Sequence, residues 1–254
     1  MSDPTLADGD SATYRPDTPW RPAGALLVAL VVSLAPILVG IAGVFVERAG
    51  LLGVDGEIIP QGGASLASPF LLAQMIIGQL LSLAILWGAA GWRGARAQTL
   101  RLATPPTPWL TAVGLGLLLI VLIGPVEILL YRLAGLELFT DGRWLLDGLR
   151  SPYWWGVAIA AVILAPLWEE LTFRGFLLSA LAKTALGFWP AAVLSSLLWT
   201  LLHWGYSWPG LVSVFLAGIG LSWIMKRTGS MRAVVVAHAV INAFSLSIVS
   251  LFAP

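Results

Sequence analysis

The chain has 254 residues, 58% of them hydrophobic and 11% charged, with a formal net charge of +1 and no cysteine. A soluble domain carries about a quarter charged residues, so this composition excludes an ordinary water-soluble fold. The missing thiols exclude disulfides, thiolate metal sites and cysteine nucleophiles. The near-neutral balance gives no basic surface for a nucleic-acid partner.

Residues 1–22 open with MSDPTLADGDSATYRPDTPW, are polar and rich in Pro and Asp, and read as a disordered cytoplasmic tail. The apolar run that follows is too long and begins too late for a signal peptide. A membrane-spanning helix needs roughly 20 apolar residues. Segments of that kind are predicted at 23–46, with Pro36 as a kink, then at 69–90 and 109–130. Further ones run from Tyr153 to about 181, then 188–203, 209–225 and 233–251. The expected fold is therefore all-α: a polytopic transmembrane helical bundle of about seven to eight spans. The polar loop 47–68 and the mixed-charge loop 131–152 separate the early segments. The fourth segment would be roughly 40 Å long at 1.5 Å per residue, so it must tilt, break near Gly175 or emerge.

Alternate connections carry the basic residues: Arg93, Arg96 and Arg101, then Lys183, then Lys226, Arg227 and Arg232. The positive-inside rule places them, and the amino terminus, in the cytoplasm. Twelve Arg against two Lys point to a GC-rich gene and so to a bacterial cytoplasmic membrane.

Three apolar segments are interrupted by polar groups. LAPLWEELTFRGF holds Glu169, Glu170 and Arg174; WTLLHW holds His203; VVVAHAVINAF holds His238 and Asn242. Residues four apart share a helix face, so Glu170 aligns with Arg174 and His238 with Asn242. Glu169 leaves the helix about 100° from Glu170. Taken singly, each has a structural explanation: a Glu–Arg pin, a satisfied histidine, an interhelical amide contact. Taken together they do not, because each ionisable group at membrane depth costs at least ~2.5 kcal/mol. Glu127, with Arg132 close by near a span's end, reads as structural or interfacial.

No HExxH zinc-protease helix is present, and Ser195, Ser196 and Ser207 lack a Gly-rich nucleophile motif. Glutamate with histidine suits activation of water by a general base. Histidine with asparagine suits hydrogen-bond donation to a developing oxyanion.

Glu169-Glu170-x-x-x-Arg174, Trp199-x-x-x-His203 and His238-x-x-x-Asn242, in that order on successive apolar helices, resemble the CPBP (CAAX protease and bacteriocin-processing, Abi) family. The resemblance covers roughly residues 151–254, and departs at Trp199, where Phe is usual. It implies an intramembrane endopeptidase acting on a peptide or protein substrate in or at the bilayer. By it, Glu169 and His203 would activate water, His238 and Asn242 would form the oxyanion hole, and Glu170 and Arg174 would support the site. The expected organisation is then the tail 1–22, amino-terminal transmembrane helices 23–150 and a catalytic transmembrane core 151–254. Two His and two Glu could ligate zinc, but the resemblance favours a glutamate mechanism without a cofactor. Other readings are a bis-histidine haem protein using His203 and His238, a non-catalytic bacteriocin-immunity protein, and a proton-coupled transporter. The last lacks the paired broken helices expected of it.

Overall fold

The computed structural model describes residues 14–49, 66–102, 107–138 and 140–252. Residues 1–13 of the expected tail and 50–65 of the expected polar loop lie outside them. Among the described residues the fold is helical, with no strand. We label its long helices α1 (Pro22–Arg48), α2 (Pro69–Trp92), α3 (Trp109–Ala134), α4 (Trp154–Ala182), α5 (Phe188–Leu201), α6 (Trp208–Thr228) and α7 (Met231–Phe252). Ser68 precedes Pro69, whose fixed φ suits the first helical position. Gly135 and Gly229 end α3 and α6 with φ of +67° and +60°, the left-handed conformation that frees a chain from a helix.

Six of these helices, all but α5, are long and apolar enough to cross a membrane, as an integral membrane protein requires. Helix α4 is their centre. In its most apolar window 56% of residues are buried, against 11% in α3, which shows most of its length to lipid. One cluster of buried side chains, including Ala25, Val32, Leu86, Phe176, Leu221 and Val234, draws on both sides of residue 150. The amino-terminal helices therefore pack into the same core as the motif helices.

The fifth segment differs from expectation. Helix α5 has 14 residues, about 21 Å, well short of the ~30 Å hydrocarbon core. His203 does not end a span; it lies in the turn beyond α5. A fifth span running to 203 would carry His203 toward the far end of the bundle from Glu169; the shorter helix removes that mismatch. Glu169 stands about 20 Å from the end of α4 by helical rise, which is where a helix as short as α5 stops.

The expected tail also differs in its last part. Tyr14 and Thr18 are buried at the basic end of the bundle. The Tyr14 hydroxyl is 2.9 Å from Ser179 Oγ, Lys183 Nζ donates to Thr18 O at 2.7 Å, and Trp20 packs on Phe176 at 5.1 Å. Burial pushes the Tyr14 hydroxyl up to about 12. Arg101, at φ +59°, donates to Arg15 O and lies over the Tyr14 ring, contacts that hold it in a conformation side chains rarely adopt. Pro and Asp content predicts a disordered tail, but these contacts tie its end down.

At the opposite end Asp141 accepts from Ser207 N at 2.8 Å, from Ser207 Oγ at 2.7 Å and from the Tyr131 hydroxyl. This fixes the α5–α6 turn, which carries His203, against the end of α3. Glu127, expected beside Arg132 as a structural group, forms no ion pair among the described residues.

Candidate active site

The motif helix α4 is not a uniform α-helix. It widens into π turns at Ala160–Leu164 and Leu171–Leu177, on either side of the α-helical Ala165–Glu170. A π turn shifts the hydrogen-bond register, and such turns gather at functional sites. In each widened stretch a neighbouring helix takes up a carbonyl. Asn242 Nδ2 donates to Ala161 O at 2.8 Å, and Ser195 Oγ donates to Phe173 O at 2.8 Å. Buried carbonyls need such partners. Asn242, on α7, and Ser195, on α5, thus lock both flanks of the segment that presents the two glutamates.

Glu170 and Arg174 are fully buried. Arg174 Nη1 donates to Glu170 Oε1 at 2.9 Å, the i, i+4 pairing read from the sequence. The same oxygen lies 2.7 Å from His238 Nδ1 of α7. A carboxylate only accepts, so His238 carries its Nδ1 proton there. That fixes the imidazole and turns Nε2 toward Glu169, whose Oε2 is 4.0 Å away. Arg174 needs room to sit inside the bundle, and Gly218 of α6 provides it. A Cβ at Gly218 would stand 2.9 Å from Ser196 Oγ and 3.0 Å from Arg174 Nη2.

Glu169 has different surroundings. Its side chain is 12% exposed, against 0% for Glu170. Its Oε2 accepts the indole N–H of Trp199 at 2.7 Å. Trp199 touches Arg174 and both histidines as well. Arg174 stacks over its ring at 4.4 Å, and the His203 and His238 rings meet it edge-on at 5.2 and 5.4 Å. Its carbonyl lies 3.2 Å from His203 Nδ1. A carbonyl cannot donate, so His203 gives its Nδ1 proton there and keeps the Nε2 lone pair free to accept.

The structure therefore gathers Glu169, Glu170, Arg174 and His238 by direct contact. His203 joins through Trp199 and makes no hydrogen bond with Glu169 among the described residues; the expected Glu169–His203 pair is bridged by the indole. Asn242 is drawn to Ala161 O on α4. Trp199 was noted in the sequence only as an aromatic of the second motif. Its exchange of Phe for Trp is the signal that a hydrogen-bond donor had been added.

Among the described residues no group of three or more His, Asp or Glu side chains stands where it could hold a metal ion. Glu170 Oε1 already takes Arg174 and His238.

Comparison with known proteins bears on the same stretch. Residues 151–244 match the family model described as type II CAAX prenyl endopeptidase Rce1-like. The UPF0177 protein YxdF of Lactococcus lactis subsp. lactis (strain IL1403) is 29% identical over 89 residues, covering 35% of this chain and 48% of the relative. The chain thus spans about half the length of that curated relative. No solved structure matches. The segment that holds both glutamates, both histidines and Asn242 is the segment similar to the Rce1-like CAAX prenyl endopeptidase family.

Proposed function

We propose that the chain is an intramembrane endopeptidase that hydrolyses a peptide bond of a membrane-associated substrate with Glu169 as general base. The observation that carries this reading is the inequality of the two glutamates. Glu170 is enclosed and bonded to Arg174 and His238, while Glu169 keeps some exposure and a single indole donor. A general base needs a free lone pair beside a site that water can reach. Glu169 Oε1 has that freedom.

In this reading a water held by Glu169, with His203 Nε2 on the far side of Trp199 assisting, attacks the scissile carbonyl. Its proton passes to Glu169. The carbonyl π electrons move onto oxygen. The oxyanion takes hydrogen bonds from His238, which as an imidazolium donates from Nε2 while Nδ1 stays bonded to Glu170, and from the Asn242 amide hydrogen that does not serve Ala161 O. Collapse re-forms the carbonyl and breaks the C–N bond, and Glu169 returns the proton to the departing amine. Glu170 and Arg174 hold His238 in place. Trp199 is a positioning residue, keeping the Glu169 carboxylate aimed at the water.

No metal step is needed, and the grouping of donors supports that. A haem reading is not favoured, because one indole packs against both imidazoles where two axial ligands would need a porphyrin between them. The basic end, with the docked residues after Tyr14, is assigned to the cytoplasmic side by its arginines and lysines.

The test is hydrolysis of a quenched membrane-anchored peptide in H2 18O by purified protein. One 18O is expected in the new carboxyl terminus from the wild type. Glu169→Gln should lower turnover by ~10²–10⁴ with the fold retained. Undiminished turnover in that variant would remove Glu169 from the mechanism.

A further inference from the structure

On the side of α4 opposite Glu169, a cleft of about 600 Å3 opens between α2, α4 and α7. That size lies within the range of pockets that take one ligand. Its floor is Leu167 and Leu171, one helical turn apart on α4, and Leu83 and Val235 stand on its two walls. Arg232 is the one charged side chain that lines it. Nothing in such a lining can orient a polar molecule along its length, but a hydrocarbon chain fits it.

The mouth is built differently. Trp87 of α2 and Trp109 of α3 both line the cleft, and each carries an arginine. Arg96 stacks over Trp87 at 4.5 Å, and Arg232 stacks over Trp109 at 4.1 Å. Arg96 Nε donates to Trp87 O, which fixes the first pair. Arg232 Nε is buried and has no hydrogen-bond partner among the described residues. Scattered tryptophans and arginines at a bilayer surface need only the interface to explain them. Two stacked pairs framing one apolar cleft, with a buried guanidinium N–H left open, describe a site. A guanidinium fork matches the geometry of a phosphate, and the cleft below it matches an acyl chain.

We propose that this cleft binds one acyl chain of an anionic glycerophospholipid of the basic-side leaflet, with the lipid phosphate at Arg232 and Arg96. Charge complementarity selects the occupant. The cytoplasmic leaflet is anionic, and the two cations stand at the end of the bundle that the positive-inside rule assigns to it. The bound chain would lie along Leu167 and Leu171, and so support the stretch of α4 that enters its second π turn. This site does not depend on the peptidase reading, since it shares a helix with the glutamates but neither they nor the histidines line it.

The experiment is native mass spectrometry and thermal unfolding of the purified full chain in detergent. Phosphatidylglycerol and phosphatidylcholine with identical acyl chains are titrated in parallel. The wild type should bind phosphatidylglycerol at least about fivefold more tightly, on the scale of one arginine contact, and unfold at higher temperature with it. Arg232→Gln should bring the two lipids within about twofold, and Arg96→Gln should produce a smaller loss of the same kind. Val235→Trp, which fills the cleft, should weaken both lipids together. Equal binding of the two lipids by the wild type overturns the proposal, and so does a preference that survives in both arginine variants. A prenylated peptide that fills the cleft and is not displaced by phosphatidylglycerol would make the occupant a substrate and overturn it as well. None of these outcomes turns on peptide hydrolysis.

Discussion

Glu170 shares one oxygen between Arg174 and His238 and is closed off from its surroundings, whereas Glu169, one residue earlier on the same helix, takes a single indole N–H and remains partly open. The difference comes from the 100° step of the helix, which points one carboxylate at α7 and into the bundle and the other at α5. It teaches that two identical side chains in sequence do opposite work. The saturated one fixes geometry, and the unsaturated one is free to act on a water.

Four substitutions break or sharpen this contrast. Arg174→Ala attacks the closed side and should have the largest effect. It removes one partner of a buried ion pair, which costs ~3–5 kcal/mol of stability, and thermal unfolding should show it together with loss of activity. Glu169→Gln attacks the open side, and its unfolding curve should stay close to that of the wild type while turnover collapses. Were the two variants to exchange these outcomes, base and pin would have to exchange places.

Asn242→Ala tests the donor shared between the two sides. Turnover should fall by ~10²–10³, the scale for one oxyanion donor, alongside a stability loss of ~1–3 kcal/mol from the stranded Ala161 carbonyl. If only stability falls, Asn242 is a tie to the π turn and nothing more. Trp199→Phe should be the mildest. Phe keeps the ring against Arg174 and both histidines but cannot donate to Glu169. A roughly tenfold drop in turnover with KM unchanged is expected, near the lower limit for a hydrogen bond to a charged group. A change in KM alone would place Trp199 in substrate binding instead.

Much of this architecture was legible in the sequence, because lipid imposes strict rules on composition. The uncharged runs predict the long helices, and two of them continue past the runs to end at Gly135 and Gly229. Glu170 with Arg174 followed from spacing alone. Other features rest on tertiary contacts that a single chain does not display. The π turns of α4 need Ser195 and Asn242, from two other helices, to accommodate their carbonyls. The turn after α5 is held from another loop by Asp141, which accepts from Ser207. The polar residues after Tyr14 look like a tail by composition and are held by partners at Arg101, Ser179 and Lys183. Trp199 is one aromatic among 13 tryptophans, and only its position between Glu169 and the two imidazoles sets it apart.

The docking of the amino-terminal segment has a consequence for biosynthesis. Tyr14 and Ser179 are 165 positions apart in the chain. At ~5–20 residues per second, Tyr14 leaves the ribosome roughly ten to thirty seconds before its partner exists. The Arg101 contact with Gly229 comes later still. The residues from Tyr14 to Thr18 therefore settle only after α4 has entered the membrane and α6 has followed. The basic end of the bundle is closed by residues made well before their partners, and a nascent chain halted before Ser179 is left with that end open.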